Sequence, residues 1–331
     1  MAKLMEPTPE ILDTLRKSGS NDRAEAFQAQ YEFSQALQEP LRQGVQSGDV
    51  TGGIFEVTTD GNTEFPLDLL APGTEGQHVA YTNPGHGYIP HKSVEADYVR
   101  ISTYGITSSI DFLLKNARNA HWNLVARALQ VFEAGFVKKI NDDAWHTLLA
   151  AAADRNILVY DADAAAGQLT KRLLSLIKSV MRRNGGGNSV TSRGRATDLY
   201  LSVEGIEDIR NWSIDQLDDT SRREVYKSAD DGAPLTRIYG LNLHDMFEIG
   251  DGQEYQDYFI TDLGGSLGSS DVELVIALDQ AANDSFIMPV TQALEVFPDE
   301  ALHRSQKQGY YGWAEMGFGV LDARRVLAAS F

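Results

Sequence analysis

IDFLLKNARNAHWNLVARALQVFEAGFVKKINDDAWHTLLAAAA, residues 110–153, decides how the rest of the chain is read. Ile110, Leu113, Leu114, Ala117, Leu124, Val125, Ala128, Phe132, Phe136, Ile140, Ala144 and Leu148 recur every three or four residues, with His121 on the same stripe. One face of a 3.6-residue helix has that spacing. Ser109 and Asp111 supply a cap and a first-turn acid, and no proline follows. A helix continuous to Ala153 spans ~60 Å at ~1.5 Å per residue, several times the usual length. Gly135 is the point at which it could divide. His121 and Lys139 break any strict heptad seam, so the pattern predicts a spine packed on a sheet and not a coiled coil.

Upstream, the chain changes character. From Gly48 to Tyr98 it is rich in Gly, Pro and Thr, with an alternating run Ile54–Thr58 before the Asp60-Gly61 turn signal. Pro66, Pro72, Pro84 and Pro90 exclude both a helix and a central strand. A stretch of this length predicts an extended two-stranded flap. Its apolar residues Phe65, Leu67, Leu69, Leu70, Val79 and Tyr81 would be costly in water, so a neighbouring copy is expected to cover them. The first fifty residues read as an arm, helical over Glu10–Arg16 and Ala24–Leu37 with a break at Ser18–Asn21. Phe27, Tyr31 and Phe33 give it apolar anchors, expected to sit on an adjacent subunit.

Downstream of Asp154–Asn156 the pattern is mixed α+β. A helix is expected over Gln168–Arg183, a strand over Asp198–Val203 and a short helix over Glu204–Trp212. Further strands are expected at Ile238–Leu243, Tyr258–Asp262, Val272–Leu278, Ser285–Val290, Ala293–Val296 and Gly309–Val320. In the last of these, Ala314, Met316, Phe318 and Val320 share a face for the spine to cover.

Composition narrows the function classes. The 331 residues contain no Cys, which removes disulfides, thiolate metal sites and a cysteine nucleophile. A formal net charge of −18 opposes a nucleic-acid grip of the counterion-releasing kind. No apolar run approaches ~18 residues and no secretory h-region follows Met1, so the expectation is a soluble protein made in a cytoplasm. Gly185–Val190 lacks the lysine of a phosphate loop, and His78, His86 and His91 lack helical ligand spacing. Asp161 and Asp163 begin like a calcium loop, but Ala165 and Ala166 stand where oxygen ligands and the turn glycine belong. Ser192 and Ser202 have no nucleophile-elbow frame, and His121 reads as a core or interface histidine. Asp215, Asp218 and Asp219 beside Arg222 and Arg223 read first as a solvated loop with local ion pairs. Their functional reading is pairing between subunits. The residues assemble no catalytic, cofactor or metal site.

The order of arm, projecting hairpin, spine helix, α+β lobe and terminal sheet return resembles the Hong Kong 97-type fold of tailed-phage major capsid proteins, shared by encapsulin shells. Gly309-Tyr310-Tyr311-Gly312-Trp313-Ala314-Glu315-Met316-Gly317 with Val326-Leu327 looks like the closing strands of that family. The strand followed by Glu204–Arg210 is similar to part of its axial domain. The resemblance implies an N-arm at 1–50, an E-loop at 51–97, a peripheral domain at 98–154 and 281–331, and an axial domain at 155–280. It implies self-assembly into pentamers and hexamers of an icosahedral head around double-stranded DNA, in a virion assembled in a host bacterial cytoplasm. Implied partners are copies of the chain, scaffolding and portal proteins, weakly held packaged DNA and a decoration protein, with no membrane. No long coiled segment precedes the arm, so scaffolding is expected as a separate protein or none, and Lys92 has no identifiable crosslink partner. An encapsulin-like compartment shell is the nearest alternative. A soluble α+β enzyme or binding module is the alternative of another class.

Overall fold

Ser18-Gly19-Ser20 divides the N-terminal segment into two helices, α1 (Pro9–Ser18) and α2 (Arg23–Gly48), as its breakers predict. The computed structural model describes residues 9–20, 22–48, 51–66, 98–119, 121–184, 194–212, 237–269, 272–281 and 285–331. A Cβ at position 19 would stand 2.7 Å from the backbone nitrogen of Arg118, whose Nε donates to the Gly19 carbonyl at 3.1 Å. Glycine lets the two segments approach that closely. Along α2, Ala26, Ala29, Phe33, Leu37, Leu41 and Val45 are buried at three- and four-residue intervals.

β1 (Glu56–Thr58), β2 (Glu64–Pro66), β3 (Tyr98–Arg100) and β4 (Tyr104–Leu113) follow, then α3 (Leu114–Arg118) and α4 (Trp122–Asp154). The spine helix therefore begins later than its periodicity predicts. Residues 104–113 form a ladder with the strand at 307–316, unbroken from Tyr104↔Met316 to Leu113↔Lys307. Ile106 and Phe112 point inward while Thr107, Ser109 and Asp111 face out. Ten paired residues outweigh the local cap signal at Ser109, because strand preference is set by cross-strand packing. His121 is exposed and precedes α4, off the buried stripe on which it was expected. The helix itself is 33 residues, about 50 Å long, and runs unbroken through Gly135.

The remaining elements are β5 (Leu158–Tyr160), α5 (Lys171–Asn184), β6 (Asp198–Leu201), α6 (Val203–Asn211), β7 (Arg237–Ile238), β8 (Leu241–Asp245), α7 (Glu254–Asp257), β9 (Leu274–Leu278), β10 (Phe286–Pro298), β11 (Lys307–Met316), β12 (Gly319–Val320) and β13 (Val326–Ser330). Tyr258–Asp262, expected as a strand, continues α7 as a π-helical turn. Tyr255 and Phe259 are both buried four residues apart, a helical spacing. The two strands expected within 285–296 are one strand of 13 residues, in which register shifts between Val290 and Glu295 absorb the irregular spacing.

Contacts divide the chain into two units. The first comprises residues 1–64, 100–144 and 287–319. Its sheet has the order β1-β10-β11-β4, with β12 also paired to β10. Phe33 of α2 packs on Trp122 at a centroid distance of 6.4 Å and on Tyr310 at 5.6 Å. Phe132 of α4 approaches so closely that a Cβ on Gly312 would lie 2.8 Å from its Cζ.

The second unit comprises residues 65–99, 145–286 and 320–331. Its sheet has the order β5-β13-β9-β6-β8-β7. β6, β9 and β13 are buried at every residue. Leu173, Ile177 and Met181 of α5 and Ile206 and Ile209 of α6 join the core of Leu199, Leu201, Val275, Ala277, Leu327 and Ala329. Trp145, 4.8 Å from Tyr200, stacks also on Tyr255. β13 lies inside this second sheet, antiparallel to β9 and parallel to β5. Val326–Ser330 has no polar face, so only a sheet covered on both sides accommodates it.

Candidate inter-subunit surfaces

Tyr31 and Phe33 sit on one helix and face opposite ways. Tyr31 is 52% exposed, whereas Phe33 is 1% exposed inside its own protomer and has no surface left for a neighbour. Helical spacing fixes the difference: Phe33 lies on the stripe of Ala26, Ala29 and Leu37, and Tyr31 lies off it. Phe33 therefore drops out of the expected contact set. Phe27 is half-buried, with the Arg23 guanidinium 5.2 Å from its ring centroid and His303 at 6.0 Å.

Of the flap residues, Phe65 on β2 is buried, and Leu67, Leu69, Leu70, Val79 and Tyr81 lie outside the described residues. β2 and β3 pair as a two-stranded sheet of their own, with Tyr98 and Val99 exposed. Asp215, Asp218, Asp219, Arg222 and Arg223 also lie outside the described residues, as do Lys92, His78, His86, His91 and the triple glycine at 185–187.

A surface not anticipated from the sequence stands on the outer face of the first sheet. Strand alternation turns Tyr310 and Ala314 of β11 inward and Tyr311 and Trp313 outward. Phe297 of β10 lies across from them, at centroid distances of 5.8 Å to Tyr311 and 5.3 Å to Trp313. Trp313 remains 39% exposed. Aromatic clusters at a protein surface are where interface energy concentrates. The legible signal was the alternation in Tyr310–Ala314.

Ser202, Asp161 and Asp163, which the sequence excludes from a nucleophile frame and a calcium loop, have structural partners. Ser202 caps α6, its Oγ accepting from Gly205 N at 3.1 Å and donating to Glu273. Burial pushes the Glu273 carboxyl up, the Ser202 hydrogen bond opposes this, and Glu204, Asp251 and Asp208 add repulsion. His244 meets Asp198 at 2.9 Å and stacks on Tyr200 at 4.5 Å. Burial alone would raise Asp198, but hydrogen bonds from His244, Thr197 and Asn242, with the His244 charge, hold it below the usual carboxylate range. Asp161 accepts from Thr170 at 2.7 Å and pairs with Arg172, which also pairs with Asp163. Among the described residues, no group of three His, Cys, Asp or Glu could hold a metal ion. Among them, too, no helix is long and apolar enough to cross a membrane.

No protein-family model and no curated protein matches the sequence. Solved structures do match the fold. The Cyanophage Pam1 capsid asymmetric unit is 13% identical, over 84% of this chain and 88% of that one, with a TM-score of 0.52. A structure of Mycobacterium phage Bobi is 13% identical, over 86% and 89%, with a TM-score of 0.51. The likeness is one of fold, and it runs through most of both chains.

Proposed function

We propose, from the premise that the chain has the Hong Kong 97-type capsid fold, that it is the major capsid protein of a tailed bacteriophage. The observation that carries this reading is the fold shared with a phage capsid subunit over most of both chains. The outer-face cluster of exposed Trp313 with half-buried Tyr311 and Phe297 supports it, as an apolar spot that a neighbouring copy could cover. On this reading residues 1–50 serve as the N-arm and 51–97 as the E-loop, with a peripheral domain built on α4 and an axial domain around the second sheet. Tyr31, Phe27 and the residues around β2 and β3 meet neighbouring copies, as do the residues at 215–223. Copies join as pentamers and hexamers that close a head around double-stranded DNA, with scaffolding and portal proteins as partners.

The mechanism is self-association. Contacts of this class bury about 2,000–5,000 Å² when permanent, and modest energies multiply through a lattice. Electron micrographs of the purified protein are expected to show closed particles built of five- and six-subunit rings. A compact monomer under every assembly condition would overturn the proposal. Particles that copurify with a protein cargo and no DNA would replace the phage head with a compartment shell.

A further inference from the structure

The second unit separates its charges along the sequence. Residues 164–197 hold seven Lys and Arg and no Asp or Glu, whereas residues 238–286 hold ten Asp and Glu and no Lys or Arg. The fold carries much of this difference to two ends of one sheet, with buried Asp279 the exception at the basic end, where its Oδ2 accepts from Gly194 N at 2.8 Å and Arg195 N at 3.0 Å. β6 and β8 run parallel, in register from Asp198↔Asn242 to Leu201↔Asp245.

At the N-terminal ends of these strands lies a groove of ≈ 480 Å³. Lys171, Lys178 and Arg182 of α5 line it, with Arg195 just before β6 and Tyr239 in the turn between β7 and β8. Positions 171, 178 and 182 fall on one stripe of the helix. Lys178 Nζ donates to the Tyr239 carbonyl at 2.7 Å, and Lys171 Nζ stands 5.1 Å from the Tyr239 ring centroid. No carboxylate lines the groove among the described residues.

The C-terminal ends are the opposite in kind. Met246 N bonds to the Leu201 carbonyl at 2.9 Å, which holds the segment after β8 beside the start of α6. Phe247 there is 66% exposed and Val203 is 45% exposed. Asp245, Glu248, Asp251 and Glu204, on the same two segments, are exposed as well. Carboxylates crowd this end enough to help keep Glu273, already raised by burial, above its ordinary range.

We propose that the two ends meet head to tail between copies, with Phe247 of one copy seated against Tyr239 and Leu174 in the α5 groove of the next and its flanking carboxylates facing Arg182 and Arg195. This rests on the shell reading and specifies one of its contacts. The five residues of β8, roughly 16 Å at ~3.3 Å each, separate the two ends, so no copy satisfies both by itself. Such a contact is heterologous, and repetition closes a ring when the rotation allows. A molecule of net charge −18 resists its own copies on average, and segregated faces supply the local attraction that its total charge denies. A phosphate backbone is the poorer occupant, since it would use the groove and leave Val203 and Phe247 in water.

The test uses the full chain in two charge-reversed forms, Arg182→Glu with Arg195→Glu, and Asp245→Lys with Glu248→Lys. Each alone is expected to associate at least about tenfold more weakly by light scattering, and an equal mixture to recover association, with circular dichroism showing both folded. Phe247→Ala is expected to weaken association by about tenfold or more. Variants that assemble like the parent, or a mixture that does not recover, overturn the contact and leave the shell reading standing on parent micrographs. Duplex DNA binding by the parent that is lost in Arg182→Glu with Arg195→Glu, while association is unchanged, assigns the groove to phosphate and overturns it as well. A parent that never associates removes the shell reading first and this contact with it.

Discussion

Gly312 and Gly105 lie on paired strands, yet only one of them is crowded. A Cβ on Gly312 would stand 2.8 Å from Phe132 Cζ and 2.9 Å from the Glu295 carbonyl, whereas a Cβ on Gly105 meets nothing within 4 Å. Gly312→Ala is therefore expected to lower unfolding stability by about 1–3 kcal/mol, as overpacking does, with Gly105→Ala within about 0.5 kcal/mol of the parent. Denaturant titration checks both; equal effects would mean that α4 does not press on β11 as described. Glu273 gives the pH-dependent case. Burial raises its carboxyl above the unfolded value, so the native state holds that proton more tightly than the unfolded chain does. The stability it contributes is full below the ordinary carboxylate range and falls as pH rises through the raised value. Glu273→Gln keeps an acceptor for Ser202 and removes the buried charge. Its Tm is expected to exceed the parent's at about pH 7 and to converge with it near about pH 4; an advantage that is constant with pH would contradict the assignment.

At the scale of elements, α2 separates folding from assembly on two residues. Phe33→Ala is expected to cost about 3–5 kcal/mol in the unassembled protein, because it empties the space beside Trp122 and Tyr310. Tyr31→Ala should leave that stability within about 0.5 kcal/mol and, on the shell reading, reduce the heat resistance of particles. Calorimetry on subunits and particles distinguishes the two, and the reverse pattern would invert the two faces of α2. Sequence periodicity found the helix and its break at Gly19, but it cannot tell a face covered by the same chain from one covered by another. It also located β11 and its inward Ala314 and Met316, because alternation within one strand is a local property, but the strand ends at Met316 and leaves out Phe318 and Val320, which were expected on the same face. The start of α4 was misread since the pairing of 104–113 with 307–316 is remote in sequence, and remote pairing leaves no mark on Ser109. The edge formed by Val203 and Phe247 was missed for the same reason. Each residue looks ordinary until the parallel register of β6 and β8, with Met246 N bonded to the Leu201 carbonyl, brings their two segments to one end of the sheet.

For the whole molecule, the two larger sheets close without β2 or β3, which pair only with each other among the described residues. Replacing residues 67–97 by a short Gly-Ser link is thus expected to keep a cooperative thermal transition and native circular dichroism while particles fail to form. Loss of the transition would show that the segment belongs to the folded core, and normal particles would remove it from assembly. The placement of β13 between β5 and β9 bears on synthesis. Leu158–Tyr160 must wait for a partner made 170 positions later, so a ribosome releases the helices and most strands of that unit before its interior ladder can zip. Until then the nascent chain carries two naked apolar edges, Leu158–Tyr160 and Leu274–Leu278, the kind of surface that clumps or recruits chaperones. Supply of competent subunits would then be limited by the clock of translation and late strand docking, and slowing synthesis should alter yield more than it alters the finished protein.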